Sequence, residues 1–158
     1  MNWRKCLKQK IDEIEMYRTG CAFSNCADLC YNMQIESSCI TPVIVNAAFA
    51  CEIFLKLLLR QNQIEYNRVH KLKDLFDILP DNIRKNIKTA TIEKYGQWKN
   101  IWNIEILDNI SNAFNDWRYN YEHDWSKSAM MKIELEFLFA FKDALKEQFK
   151  DCSFYEVI

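Results

Sequence analysis

Glycine and proline are nearly missing from this 158-residue chain, each occurring twice, at Gly20, Gly96, Pro42 and Pro80. Sheets depend on frequent tight turns, and turns draw on those two residues. Their scarcity argues against a β-rich fold and predicts a few long helices joined by short polar connections. Two isolated glycines also exclude a glycine-rich phosphate loop. Histidine is as rare, with only His70 and His123, and nothing beside either reads as an activated nucleophile for a serine or cysteine triad. Net charge is almost absent: 21 Lys and Arg face 22 Asp and Glu, a formal −1. No long-range field recruits nucleic acid. The surplus of eight Lys/Arg over four Asp/Glu between Arg68 and Lys99 reads as a solvated helix face.

An uninterrupted apolar run is lacking too. The most apolar stretch, Pro42 to Leu59, is broken by Asn46, Glu52 and Lys56, which predicts a buried helix and no membrane span. The opening Met-Asn-Trp-Arg-Lys is not followed by the apolar core of an export signal. The expected compartment is therefore the reducing cytoplasm, with the seven cysteines as free thiols. Their odd number argues against a complete disulfide framework. No Cys-x-x-Cys pair occurs, and neither histidine lies near Cys21, Cys26 and Cys30. A zinc site needs four ligands, so no metal and no cofactor is expected, and the cysteines read as small core residues.

What the chain does have is apolar bulk, 49% of residues with 14% aromatic, enough for a packed core. A chain of this length buries about two-thirds of its unfolded surface and folds without staples. Residues 1–158 are expected to form one domain.

Periodicity predicts the elements. A first helix runs from Trp3 to about Tyr17 with Leu7, Ile11 and Ile14 inward, and Gly20 stops it. A second covers Phe23 to Ile35, with Cys26, Leu29, Cys30 and Met33 on one side. Thr41-Pro42 opens a helix to about Asn62, where Ile44, Ala48, Cys51, Leu55 and Leu58 form a stripe widened by Ala47, Phe54 and Leu59. So broad an apolar face marks a central helix. A short helix spans His70 to Leu79, with Leu72, Leu75, Phe76 and Leu79 inward, and Pro80 ends it. Asp81 caps a helix from Ile83 to Tyr95. Trp98 and Trp102 bracket the entry to a longer one carrying Ile106, Ile110, Ala113, Phe114, Trp117 and Tyr121. After a polar break at His123–Ser126, the last helix runs from about Lys127 to Phe149, with Ile133, Phe137, Phe141, Ala144 and Leu145 inward. The expectation is an all-α, antiparallel up-down bundle of five to six helices.

Two constellations carry chemistry. Glu52, Lys56 and Arg60 stand at four-residue steps, either an ion-pair ladder along the polar stripe of the central helix or, for Glu52, part of a site facing another helix. The segment Ala113-Phe-Asn-Asp-Trp-Arg-Tyr-Asn-Tyr-Glu-His123 gathers four aromatics beside an arginine, a histidine and two carboxylates. Arg118 and Glu122 lie one turn apart and suit an ion pair. Arg118 and His123 are separated by about 140° on an unbroken helix. To share one site they need the helix to end near Tyr121, or a second subunit to contribute.

Three pieces together carry a family resemblance. Ala47-Ala-Phe-Ala-Cys-Glu-Ile-Phe-Leu-Lys-Leu-Leu-Leu59 resembles the central helix of HEPN domains. Val69-His-Lys-Leu-Lys-Asp-Leu-Phe-Asp-Ile-Leu79 resembles the helix that follows it, and Trp117-Arg-Tyr-Asn-Tyr-Glu122 the aromatic-arginine segment. They occur in the family's order over residues 41 to 123. The resemblance implies a HEPN-like bundle acting as a homodimer in metal-independent RNA cleavage, with the ribose 2′-hydroxyl attacking the adjacent phosphate. In nuclease members an arginine is followed, after four to six residues, by a histidine, and Arg118 and His123 match with four between. The resemblance assigns acid/base work to His123 and phosphate stabilisation to Arg118, with Asn115, Tyr119, Glu122 and Glu52 as supporting residues. It also implies a prokaryotic toxin–antitoxin or antiviral setting, with an antitoxin or regulatory protein as partner. Tyr119 departs from the pattern, because active members place a polar residue after the arginine. That departure keeps open a catalytically silent HEPN module binding a partner protein or nucleotide. A helical scaffold with redox-sensing cysteines is a third expectation.

Overall fold

In a computed structural model, the structure describes residues 3–32, 40–95, 102, 104–111 and 134–152. Six helices and no strand occur among the described residues: α1 (Trp3–Asn32), α2 (Ile40–Gln61), α3 (Leu72–Asp77), α4 (Asp81–Tyr95), α5 (Ile104–Ser111) and α6 (Leu135–Glu147). The chain is all-α, as the scarcity of turn formers predicts.

The 30-residue α1 corrects the expectation of two helices divided at Gly20. Gly20 sits inside α1, pressed on α2, where a β-carbon would fall 2.6 Å from Phe54 Cε1. The missing side chain is used for close approach between helices, not for termination. The inward face of α1 also differs from the one expected. Ile14, Tyr17, Ser24 and Ala27 are buried, whereas Ile11 and Leu29 are exposed and Cys26 faces solvent. Small residues at 20, 24 and 27 let the backbone of α1 lie close to its neighbours, and bulky Leu29 has no place on that face.

Helix α2 is the centre. Ile44, Ala47, Ala48, Cys51, Phe54, Leu55, Leu58 and Leu59 are all buried, together with Leu57 and Ala50, so the predicted stripe is correct. Among the described residues α2 alone is long and apolar enough to cross a membrane, and 67% of its apolar window is buried inside the bundle. Three contacts set its direction. Asp12 meets Arg60, Gly20 meets Phe54, and Cys26 meets Asn46, so position along α2 falls as it rises along α1, and the pair is antiparallel. Similarly Tyr17 packs on Phe149, Lys142 bonds Asp28, and Tyr31 packs on Phe139. Helix α6 thus runs antiparallel to α1 and parallel to α2.

The short α3 buries Leu72, Leu75 and Phe76, and Leu79 just beyond it is buried too. The N–H of Lys73 is among those an α-helix leaves unpaired in its first turn. It is accepted at 2.9 Å by Ser111 Oγ of α5, which itself donates to Leu107 O. Phe76 stacks on Trp102 at 5.2 Å between centroids and meets Phe141 edge-on. Helix α6 begins at Leu135, next to the non-helical backbone of Glu134 (φ −79°, ψ 84°), and residues 127 to 133 of the expected last helix lie outside the described residues. Ala113, Phe114, Trp117, Tyr121 and Ile133 lie outside the described residues, as does Trp98.

Candidate functional site

The polar stripe of α2 is short, and its first member is unusual. Glu52 is 4% exposed in a helix otherwise buried by apolar residues. A carboxylate at that depth needs compensating donors, and two converge on Oε1. Lys56 Nζ, one turn on, donates at 2.6 Å. His70 Nδ1, from the connection between α2 and α3, lies at 2.9 Å. The two donors are themselves 3.4 Å apart.

The shorter of the two contacts to Nδ1 is the one to the carboxylate. An unprotonated Nδ1 at 2.9 Å from a carboxylate oxygen would set lone pair against lone pair, so the proton sits on Nδ1 and is donated to Glu52. A ring that donates through Nδ1 has Nε2 as its second nitrogen. The His70 side chain is 60% exposed. A carboxylate that orients an imidazole in this way is the standard means of fixing one basic nitrogen. Lys56 adds a cation beside the ring, and its Nζ lies 5.9 Å from the centre of the Tyr66 ring.

The connection that presents His70 is held in a demanding conformation. Gln63 and Arg68, neither of them glycine, have φ of 57° and 59°, in the left-handed region that costs most residues energy. Leu59 O accepts from Ile64 N–H, and Tyr66 O from Val69 N–H, pinning the segment to the end of α2.

Next to the cluster, α1 and α2 enclose a groove of about 420 Å³. Met16, Phe49 and Ile53 supply its apolar wall, and Asp12, Glu52 and Lys56 its polar rim. Arg60 does not continue a ladder along α2. It crosses to α1, bonding Asp12 Oδ2 at 3.0 Å and approaching Glu13 at 3.8 Å. Of the two readings of Glu52-Lys56-Arg60, the ladder holds for the first pair only, and the partner that Glu52 gains from elsewhere, His70, belongs to the α2–α3 connection and not to another helix.

A second polar centre lies on α6. Lys142 is fully buried, with Nζ donating to Asp28 Oδ1 at 2.5 Å and Ser24 Oγ at 3.2 Å, and with Asp143 Oδ1 at 2.9 Å. Its ammonium also sits 4.9 Å from the centre of the Phe139 ring. Every partner comes from the bundle itself, which makes this a structural tie of α6 to α1. Cys51 is buried nearby and its thiol is pushed far up by desolvation, leaving no thiolate for chemistry. Cys30 is also raised, by desolvation and then by the adjacent Cys26 thiol. Among the described residues no three His, Cys, Asp or Glu side chains gather as a metal-ligand set.

Of the residues singled out in the sequence, the structure places Glu52, buried and bonded to His70. Arg118, His123, Asn115, Tyr119 and Glu122 lie outside the described residues. Sequence reasoning missed the His70 contact, placing that residue only as the first of a short helix. The signal available was only the four-residue Glu52–Lys56 step, and a contact spanning 18 residues through a turn leaves no periodic trace. Compared with family models, curated proteins and solved structures, the chain matches none.

Proposed function

We propose that the chain is a HEPN-type, metal-independent endoribonuclease working as a homodimer in the cytoplasm, in a prokaryotic toxin–antitoxin or antiviral system. The observation that carries this reading is the Arg118-x4-His123 pair, set downstream of two HEPN-like segments. Two features of the fold support it. The segment resembling the family's central helix is the buried centre of an all-α bundle, and the segment resembling the following helix packs as α3 against it. In this reading His123 moves protons, and Arg118 stabilises charge on the phosphoryl group. The ribose supplies the nucleophile, so the chain needs no nucleophilic side chain of its own. RNA is the substrate, and an antitoxin or regulatory protein is the partner.

The test is cleavage of RNA by the purified protein in EDTA, beside Arg118→Ala and His123→Ala variants of confirmed fold. Loss of cleavage in both, with cyclic-phosphate ends on the wild-type products, is the expected result. Cleavage unchanged in the variants refutes the site. A monomer at micromolar concentration by light scattering refutes a site shared between two protomers.

Tyr119 directly after Arg118 favours a second reading, a silent HEPN module that binds a partner protein or nucleotide. Absence of wild-type cleavage selects it. Tyr119→Ser separates the two further: a nuclease keeps or gains activity, whereas a packing element loses stability.

A further inference from the structure

We propose that Cys26 and Cys30 of α1 form a two-coordinate site for a soft monovalent cation of the Cu(I) class. The site stands apart from the ribonuclease reading and uses none of its residues. Both cysteines lie on one unbroken helix, four positions apart and therefore on the same face. Cys26 is exposed and Cys30 half-buried, and both are free thiols. The Cys30 thiol hydrogen-bonds to the Cys26 sulfur, so the two sulfurs already meet. A third group comes from α2, where Asn46 Nδ2 donates to Cys26 Sγ at 3.4 Å. An amide donor on a sulfur favours its anionic form, which is the form that binds metal. The exposure of Cys26 gives the cation its way in.

Geometry separates this use from a disulfide. Side chains one turn apart on a helix have β-carbons about 5–6 Å apart, whereas a disulfide needs about 3.5–4.5 Å. A direct S–S bond therefore requires α1 to distort between Cys26 and Cys30. A bridging cation replaces one bond of about 2.05 Å by two metal–sulfur bonds of about 2.3 Å each, and spans the gap with the helix intact. The ligand count then selects the cation. Structural zinc takes four ligands, and among the described residues no three His, Cys, Asp or Glu side chains gather. Thiolates favour soft cations, and Cu(I) is stable with two of them in line. Binding turns two thiols and Cu(I) into a bis-thiolate complex of charge −1 and releases two protons.

The experiment is titration of the reduced full chain, without oxygen, against Cu(I) held by the coloured chelator bathocuproine disulfonate at pH 6, 7 and 8. The variants are Cys26→Ser, Cys30→Ser and Asn46→Ala. Cys21→Ser is the control, because Cys21 lies on α1 about 140° of rotation from Cys26. Expected is one tightly held Cu(I) per chain, with two sulfur neighbours by X-ray absorption. Cys26→Ser and Cys30→Ser each bind it more weakly by about a hundredfold or more, since two tethered ligands exceed either alone by that factor. Asn46→Ala weakens it about tenfold, and Cys21→Ser leaves it unchanged. Wild-type affinity rises about a hundredfold per pH unit, tenfold for each proton released. A folded Cys26→Ser or Cys30→Ser that binds within about threefold of wild type, a difference under about 1 kcal/mol, overturns the proposal. Failure of the wild type to take Cu(I) from the chelator overturns it as well. So does a Cys26–Cys30 disulfide formed by mild oxidant with helix content unchanged.

Discussion

Gly20 of α1 and Phe54 of α2 touch so closely that a β-carbon on the first would lie 2.6 Å from Cε1 of the second. The Phe54 ring is fully buried, with Tyr17 at 6.3 Å and Phe149 at 5.8 Å between centroids, so it has nowhere to retreat. Gly20→Ala therefore sets two effects against each other. Alanine gains about 1 kcal/mol of helix propensity, and overpacking costs about 1–3 kcal/mol. The expected net result is destabilisation of about 1 kcal/mol, read as a lower urea midpoint. Gly20→Ala combined with Phe54→Leu is expected to be less destabilised than the sum of the single changes, because leucine frees the space. Strict additivity would refute the contact.

Lys142 makes an asymmetric prediction. Its ammonium is fully buried, but Asp28 and Asp143 keep 39% and 49% of their side-chain exposure. Removing the lysine leaves two carboxylates that water can still reach, whereas removing Asp28 leaves the buried cation with Asp143 as its one carboxylate among the described residues. Lys142→Met is expected to stay within about 1 kcal/mol of wild type, and Asp28→Asn to cost about 2 kcal/mol or more. Chemical denaturation of both variants decides the order, and the reverse order would sink this account of the tie.

Glu147 sits between Lys150 Nζ at 2.7 Å and Lys94 Nζ at 2.8 Å, and these two ammonium groups hold its carboxyl below the ordinary value near 4.5. A depressed folded-state value means the contribution is present above the unfolded value and is lost as pH falls through the folded one. The pairs are largely solvated, so the effect is about 0.5 kcal/mol or less. Wild type is expected to lose that increment below about pH 4.5 relative to Glu147→Gln, in parallel melting curves from pH 7 to pH 3. Curves that stay parallel over the whole range would refute it.

Burial pushes the Cys51 thiol far above its ordinary value, while Cys26 is exposed and accepts a bond from Asn46 Nδ2 at 3.4 Å. Under native conditions a thiol reagent is expected to modify Cys26 readily and Cys51 only at the rate of unfolding. Site-resolved mass spectrometry over a denaturant series measures both rates. Labelling of Cys51 that ignores denaturant would place it outside the core.

The helical class and the identity of the central helix were legible in the sequence because both are written in local spacing. The stripe Ile44, Ala48, Cys51, Leu55 and Leu58 repeats at the helical period, and all five side chains are buried. Leu72, Leu75, Phe76 and Leu79 were placed inward by the same reasoning and are inward. The candidate site was legible only as a single residue, Glu52. Its partner His70 stands on the far side of a turn shaped by Gln63 and Arg68, and no spacing rule reports a side chain returning across such a turn.

What the sequence determined by itself is therefore what depends on neighbours a few residues away: helices in place of sheet, and the apolar face of α2. What tertiary structure decided depends on partners far along the chain. Gly20 reads as a stop by its own preference, yet α1 runs through it because Phe54, 34 positions on, fills the space its side chain would need. A lysine by its own charge favours exposure, yet Lys142 is buried because Asp28 and Ser24 of α1 meet its ammonium there. Glu52 reads as one rung of an ion-pair ladder, yet packing of the α2–α3 connection brings it His70. Local preferences are about 1 kcal/mol per residue, and a buried contact or a satisfied buried charge outweighs them.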